Sequence, residues 1–160
     1  NDRSYGFGMS RNERFVAFGS SSTDLGFGAP QGENDEGDLV LVWDAKRGTT
    51  TLVNRSLADP ATATTGYAYG LGLTPNGRYL TFGSTADDLD RRKTDTIEEV
   101  FLHDVRRRRT KGVTPDPDDH YPQFTRMSDN GRFLAMGSQA SDLLVGDDNN
   151  RSDVFVYRLR

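Results

Sequence analysis

The chain has 160 residues, with 20 basic and 24 acidic side chains, 17 glycines, six prolines and no cysteine, and its net charge is −4. This length suits one domain of about 100–200 residues, and an apolar content slightly above that of disordered chains predicts a folded protein with a lean core. No apolar run approaches the roughly 20 residues of a membrane helix, so no membrane insertion is expected. Without cysteine the chain has no disulfide and no thiolate metal ligand, a composition that suits an oxidising compartment.

A repeated unit occurs three times along the chain. Residues 10–20, 74–84 and 128–138 align without a gap and place Arg14, Arg78 and Arg132 at one position. An Asp-Leu pair follows each copy at a fixed distance, and an acid then precedes an apolar run. These acids are aligned as Asp38, Glu99 and Asp153. Such self-similarity predicts that the chain consists of three copies of one structural unit.

Within each unit, apolar and polar residues alternate with a period of two, and aromatic and β-branched residues are abundant, which predicts strands. In chain order the predicted strands cover residues 4–9, 14–20, 38–44, 49–54, 67–74, 78–84, 98–104, 109–113, 121–127, 132–138 and 153–159. Asn76-Gly77 and Asn130-Gly131 predict two-residue type I′ turns between the first two strands of their units. The first copy has Glu13 in place of the glycine, so a different or slightly longer turn is expected there.

Four-stranded antiparallel units repeated in this way are typical of β-propeller blades. The predicted fold class is all-β, with about three blades, the last of them incomplete. They are expected to cover residues 4–54, 67–113 and 121–160. Gly6 and Gly8, like Gly70 and Gly72, are predicted to share one face of the first strand, where side chains have little room near a central channel.

Several segments resemble the WD-like repeats of TolB-type β-propellers. They are Thr-Pro-Asn-Gly-Arg-Tyr-Leu-Thr-Phe at 74–82, Ser-Asp-Asn-Gly-Arg-Phe-Leu-Ala-Met at 128–136 and Asp-Val-Phe-Val-Tyr at 153–157. The resemblance covers essentially the whole chain, although the first copy lacks the turn glycine and the third stops before a fourth strand. It implies a bacterial, extracytoplasmic (periplasmic or secreted) protein that acts as a binding platform or as an accessory domain of an enzyme. Fold alone does not decide between these functions.

The connection between the second and third strands is long in every unit, and in the third unit its oxygen donors from Asp147 to Asp153 could suit Ca²⁺. Asn149 and Asp153 have polar counterparts in the other units, whereas Asp147 aligns with Gly32 and Lys93. Because few donor positions recur, these side chains are predicted to bond nearby backbone amides. No metal or other cofactor is expected.

Candidate catalytic residues are scarce. His103 aligns with Trp43 and Tyr157 in an aromatic column on the third strands, and it is predicted to pack rather than to act as a base. His120 stands alone, and no serine has a neighbouring base that would activate it. The chain is therefore not expected to be an enzyme, although a longer parent could be one.

The strongest charge run, Arg106 to Arg109 with Lys111, falls at the position of a hairpin turn in the first unit. Acidic residues follow it, the chain as a whole is acidic, and no aromatic residues are interleaved with it for base stacking. It is predicted to be a solvated turn, and no nucleic-acid partner is expected.

Two functions from different classes remain open. The first is a non-catalytic module that binds a protein, peptide or glycan through a rim formed by the loops at 20–33, 84–95 and 138–149. The second is an accessory domain of a larger enzyme such as a serine peptidase, which a Gly-x-Ser-x-Gly segment in the flanking sequence would favour. Closed propellers hold about four to eight blades, so completion by further blades in cis or by self-association is expected.

Overall fold

The computed structural model describes residues 3–28, 38–92, 96–113, 124–139, 143–146, 149 and 151–159. Within these residues the chain forms eleven strands. They are β1 Ser4–Met9, β2 Phe15–Ser20, β3 Leu39–Asp44, β4 Thr49–Leu52, β5 Ala68–Leu73, β6 Tyr79–Ser84, β7 Glu99–Asp104, β8 Arg109–Gly112, β9 Phe124–Met127, β10 Phe133–Ser138 and β11 Asp153–Arg158. The same residues contain no helix long and apolar enough to cross a membrane.

Each repeat forms one antiparallel sheet. The strand orders are β1-β2-β3-β4, β5-β6-β7-β8 and β11-β10-β9. The all-β class is confirmed, and so are the strands themselves, since every strand end within the described residues lies within two residues of its predicted position. The three sheets also share one register, because Phe15 pairs with Asp44, Tyr79 with Asp104 and Phe133 with Arg158.

Most of the core of the described residues lies between neighbouring sheets, while a further cluster that includes Leu39, Leu41 and Leu52 lies on the outer face of the first sheet. Val40 and Val42 of the first sheet pack against Leu80, Phe82 and other residues of the second, and all four side chains are nearly or fully buried. The opposite face of the second sheet packs against the third in a smaller cluster, which includes Val100, Leu134 and Met136. Phe82 and Phe101 stack in the first of these interfaces with ring centroids 5.4 Å apart. Burial of apolar side chains between neighbouring sheets therefore holds the units together.

The two ends of each sheet carry different connections. The short hairpins lie at one end, here called the turn end, where Arg11 N–H donates to Pro75 O at 2.7 Å and Asn76 Nδ2 donates to Asp129 O at 3.0 Å. The long connections that follow β2, β6 and β10 leave from the other end, here called the loop end. Hydrogen bonds between successive turns thus keep equivalent ends of the three sheets side by side.

The hairpins between the first two strands of each sheet are longer than predicted. Type I′ turns need positive φ at both central residues, but within the described residues Asn76 and Asn130 do not have it, whereas Gly77 and Gly131 have φ of 67° and 66°. The closing pair is Thr74 with Tyr79, so four residues connect the strands. Asn76 Oδ1 accepts from Thr74 Oγ1 and Arg78 N–H, and it is this asparagine that fixes the turn.

The expectation of a different turn at Glu13 is wrong. Glu13 has φ of 58°, its N–H donates to Ser10 O, and Ser10 N–H donates to Phe15 O, as in the other two units. Asn12 Oδ1 accepts from Ser10 Oγ and from Arg14 N–H. The asparagine-centred hydrogen bonds are sufficient to impose the left-handed conformation on an exposed glutamate.

The predicted role of the innermost glycines is also corrected. A β-bulge between Gly6 and Gly8 pairs them with Phe18 and Ala17, which are adjacent in sequence, so the two glycines lie on opposite faces of the sheet. Of this pair only Gly8 is crowded, because a β-carbon there would lie 2.7 Å from Leu73 Cβ, whereas in the second sheet the crowded glycine is Gly70, which lies against the Phe7 ring. The second sheet has the same bulge, between its own pair of glycines. These glycines therefore mark a bulge and a close sheet-to-sheet approach.

The three sheets do not close into a ring. On the first sheet, Phe15, Val40 and Val42 pack against the second sheet. By register, Phe133, Val154 and Val156 hold these positions on the third sheet, and they are 43%, 65% and 66% exposed. The described part of the chain is thus a partial arc with an exposed apolar face.

Candidate binding site

A tyrosine lies at the start of the innermost strand in each of the first two sheets. Tyr5 pairs with Gly19 and Tyr69 pairs with Gly83. Each ring covers its glycine so closely that a β-carbon on Gly19 would lie 2.7 Å from Tyr5 Cζ, and one on Gly83 would lie 2.6 Å from Tyr69 Cζ. Glycine is therefore required for the tyrosines to lie flat across the second strand.

Each of these tyrosines donates a hydrogen bond to a buried acid. The Tyr5 hydroxyl donates to Asp38 Oδ2 at 2.8 Å, and the Tyr69 hydroxyl donates to Glu98 Oε1. Burial and the nearby carboxylate raise the pKa of both tyrosines above the usual range, so both hydroxyls stay protonated and act as donors. Burial also raises the pKa of Glu98, against the opposing effect of the hydrogen bond from Tyr69.

The acid position lies one residue earlier in the first unit than the sequence alignment indicates. The register pairs Ser20 with Leu39, Ser84 with Glu99 and Ser138 with Asp153. Asp38 therefore corresponds to Glu98 and to Ser152, not to Glu99 and Asp153. In the third unit, Phe124 pairs with Gly137 and takes the tyrosine position. The third unit thus lacks both partners of the hydrogen bond, since a phenylalanine replaces the tyrosine and a serine replaces the acid.

Two more side chains complete this region, which we call the tyrosine–acid cluster and define as Arg3, Tyr5, Asp38, Tyr67, Tyr69 and Glu98. Arg3 Nη2 lies 3.5 Å from Asp38 Oδ2, and the Arg3 side chain is 67% exposed. The rings of Tyr67 and Tyr69 are tilted against each other with centroids 5.3 Å apart. Asp38 Oδ1 is buried and has no hydrogen-bond partner among the described residues. The cluster therefore combines accessible aromatic and cationic side chains with a carboxylate that retains acceptor capacity.

The cluster lies at the loop end, across the joint between the first two sheets. The Asp38 N–H donates to Ala68 O at 3.2 Å, so the start of β3 is fixed to the start of β5. Asn54 is buried beside it, where its Nδ2 donates to Asp38 O and its Oδ1 accepts from Val40 N–H. These bonds hold the backbone of Asp38 in one place.

The structure keeps the other sequence candidates apart from this cluster. His103 is buried, and its Nδ1 lies 2.9 Å from Thr110 Oγ1. Burial, with a smaller effect of the Arg55 charge, lowers the pKa of His103 to about 4. The imidazole is thus neutral at pH 7 and inside the sheet, in agreement with a packing role. His120 lies outside the described residues.

In the loop that was considered for Ca²⁺ and predicted to lack it, Asp147 lies outside the described residues, while Asn149 Nδ2 donates to Asp153 Oδ2 at 2.9 Å. Among the residues that the structure describes, no three His, Cys, Asp or Glu side chains converge as metal ligands would. The basic run at 106–109 forms the turn between β7 and β8, where Arg108 has φ of 53° at the position of Gly48. No described residue of either feature belongs to the tyrosine–acid cluster.

Comparison with solved structures identifies the architecture. A protein assigned as TolB from Agrobacterium tumefaciens superposes with a TM-score of 0.56 and 15% identity, over 99% of this chain and 51% of that one. TolB from Acinetobacter baumannii superposes with a TM-score of 0.53 and 14% identity, over 98% of this chain and 30% of that one. The chain has the fold of a TolB-type β-propeller. It spans about half of the first of these proteins and less than a third of the second.

No protein-family model matches the chain, and no curated protein matches it either. At this level of identity the structural likeness shows the fold of a TolB-type β-propeller and no more. The three sheets are therefore blades, and the tyrosine–acid cluster lies where the innermost strands of the first two blades begin. What the cluster binds has to be argued from its own chemistry.

Sequence reasoning missed this cluster. The signal was present, because Tyr-Gly-x-Gly occurs at 5–8 and again at 69–72, and an acid precedes the third strand in both units. The alignment of the acids was one residue out in the first unit, which hid the repeated pairing of a tyrosine with an acid.

Proposed function

We propose that this chain is a non-catalytic β-propeller module that binds a protein or peptide partner through the tyrosine–acid cluster at the loop end. The observation that carries the proposal is the grouping of Arg3 and Tyr67, both exposed, around the half-buried tyrosines and the buried Asp38. Tyrosine and arginine are among the residues most enriched at the energetic centres of protein interfaces.

The rigidity of the cluster supports this function. Tyr5 and Tyr69 lie flat on glycines and are held by buried acids, so a partner would meet a preformed surface. A preformed surface loses little conformational entropy on binding.

A binding module is preferred to an autonomous enzyme because the imidazole that contacts a hydroxyl among the described residues, His103 beside Thr110, is buried inside the sheet, where a substrate has no access to it. The accessory-domain function remains compatible with the same surface, which would then face a domain of a longer protein. By the likeness to TolB-type propellers we also propose an extracytoplasmic location, which fractionation of the source cells would test.

A photo-crosslinking experiment tests the proposal. A photoreactive phenylalanine analogue is placed at position 67 and, as the matched control, at position 9, because Met9 is 60% exposed at the turn end of the neighbouring innermost strand. After irradiation in cells of the source organism, proteins attached to each position are identified by mass spectrometry. The affinity of the purified partner is then measured for the wild type, Tyr67→Ala and Met9→Ala.

We expect a protein adduct at position 67 that is missing at position 9. Tyr67→Ala is expected to weaken the affinity by about tenfold or more, as for truncation of a central interface tyrosine, while Met9→Ala leaves it unchanged. Equal adducts at both positions, or an affinity that Tyr67→Ala does not change, would contradict the proposal. An adduct to carbohydrate alone would favour a glycan ligand instead.

A further inference from the structure

A basic cleft lies between the second and third blades at the turn end, away from the tyrosine–acid cluster. Its volume is about 480 Å³. Leu102, Tyr79 and Leu159 supply its apolar part, and the hairpin turn at 130–132 forms the wall on the third blade. The cleft is thus an open groove with apolar and polar parts, which suits a short peptide segment.

The charge of the cleft is opposite to that of the chain. Among the described residues that line it, five side chains are basic and Asp104 is the only carboxylate, whereas the whole chain has a net charge of −4. Asp104 is already engaged, because it accepts from Arg78 Nη2 at 3.3 Å and from the backbone N–H groups of Arg106 and Arg107 at 3.0 Å each. The positive charge of the groove is therefore not neutralised from within.

Four of the basic residues form no ion pair with any described residue. They are Arg107, Arg109, Lys111 and Arg132. Arg78 is also incompletely bonded, since its Nε has no acceptor among the described residues, while the equivalent Arg14 Nε donates to Asp44 Oδ1 at 2.9 Å. The cleft thus presents four basic side chains whose charge is not neutralised by an ion pair within the described residues.

The third repeat departs from the first two in a way that adds to this charge. Arg14 and Arg78 are paired with Asp44 and Asp104, respectively. The register places Arg158 at the position of these two aspartates, so Arg132 has an arginine where its counterparts have a carboxylate. Arg132 and Arg158 are thus two positive charges at the positions of an ion pair, and this arrangement favours the binding of an anionic group of a ligand.

We propose that this cleft binds an acidic segment of a partner protein, whose carboxylates take the position that Asp44 and Asp104 hold in the first two blades. Arginine forks bind carboxylates in a bidentate manner, and the apolar part of the groove accommodates the aliphatic part of such a segment. The net negative charge of the chain disfavours an acidic segment elsewhere on its surface. A nucleic acid is disfavoured because Tyr79, the aromatic residue of the groove, already lies under the Arg78 guanidinium at 4.8 Å.

Fluorescence anisotropy with a fluorescein-labelled peptide of Glu and Leu residues tests this site. Its matched probe has every Glu replaced by Gln, and a labelled single-stranded DNA oligonucleotide of the same charge is the third probe. The protein variants are Arg109→Glu with Lys111→Glu inside the cleft, and Arg106→Glu with Arg151→Glu outside it. All four side chains are exposed, so the two double variants carry the same change in charge without a change in the core.

We expect the Glu peptide to bind and the Gln peptide not to bind. The cleft variant is expected to weaken binding by about tenfold or more, and the control variant by less than about threefold. Tyr67→Ala should leave this affinity unchanged, which separates the cleft from the tyrosine–acid cluster. Failure of the Glu peptide to bind, equal losses in both double variants, or tighter binding of the oligonucleotide would overturn the proposal.

A single substitution gives an independent test, because it leaves every residue that lines the cleft unchanged. Arg158→Asp restores the acid found in the other two blades and gives Arg132 a partner within the protein. We expect the Glu peptide to bind several-fold more weakly to this variant, while the melting temperature stays the same or rises. An unchanged affinity would overturn the assignment of Arg132 to the site.

Discussion

The ring of Phe15 lies directly against Gly77, so that a β-carbon on this glycine would come within 2.5 Å of Phe15 Cδ2. Tyr79 covers Gly131 in the same way one repeat later. The aromatic residue that begins the second strand of one blade therefore packs on the hairpin turn of the next blade. The turn glycine thus has two functions, since it provides both positive φ and the space for a neighbouring ring.

Gly77→Ala separates these two functions when it is compared with Gly48→Ala. Gly48 has φ of 64° and nothing within 4 Å of an added β-carbon, so only the backbone cost of about 1 kcal/mol is expected there. Gly77→Ala adds the overlap with Phe15, and a loss of about 2–4 kcal/mol in the free energy of unfolding is expected. Urea unfolding followed by Trp43 fluorescence measures both. Equal losses of stability in the two variants would show that the Phe15 ring moves aside without an energetic cost.

Glu13→Gly is expected to stabilise the protein. Glu13 holds φ of 58° in an exposed turn, where glycine adopts this conformation without strain. A gain of about 0.5–1 kcal/mol in the free energy of unfolding is expected, from the relief of strain less the greater chain entropy of glycine. Glu13→Ala keeps the β-carbon and should show no such gain. If both variants gain equally, the loss of the carboxylate and not the backbone is the cause.

Stability should fall in mildly acidic solution because of His103. Its pKa is lowered to about 4 in the folded chain by burial, against about 6.5 in the unfolded chain. The unfolded state therefore takes up a proton first, so this contribution is complete above pH about 6.5 and declines as the pH falls towards 4.

Urea midpoints at pH 7 and pH 5 measure this decline in the wild type. His103→Gln should remove most of it. The pKa of His103 can also be measured directly by an NMR titration of the imidazole. A pKa near the ordinary value of about 6.5 would contradict the burial of His103.

The exposed apolar face of the third blade is expected to bind a further blade or a second copy of the chain. Val154 and Val156 hold positions that Val40 and Val42 fill in the joint between the first two blades. Size-exclusion chromatography with light scattering is expected to give a mass above that of one chain, and Val154→Lys with Val156→Lys should lower it to one chain. If the wild type is a monomer that melts cooperatively, the exposed face does not need a second copy to cover it, and the prediction is wrong.

The sequence was sufficient to predict the strands, because the alternation of apolar residues and the repeat reinforce each other. It was not sufficient for the details of the turns, since Asn76-Gly77 fits both a two-residue and a four-residue connection, and the choice depends on the hydrogen bonds of the asparagine side chain. The tyrosine–acid cluster was missed because a tyrosine and an acid 33 residues apart are brought together by strand register. A shift of one residue in the alignment is enough to conceal such a pair.

The second blade forms a wall of both proposed sites. Tyr69 and Glu98 belong to it at one end, and Arg78 and Arg109 belong to it at the other. Each site also requires a neighbouring blade on the far side of a joint. Because both joints share the second blade, a displacement of that blade would alter both sites, whereas a displacement of the first or the third blade alone would alter one.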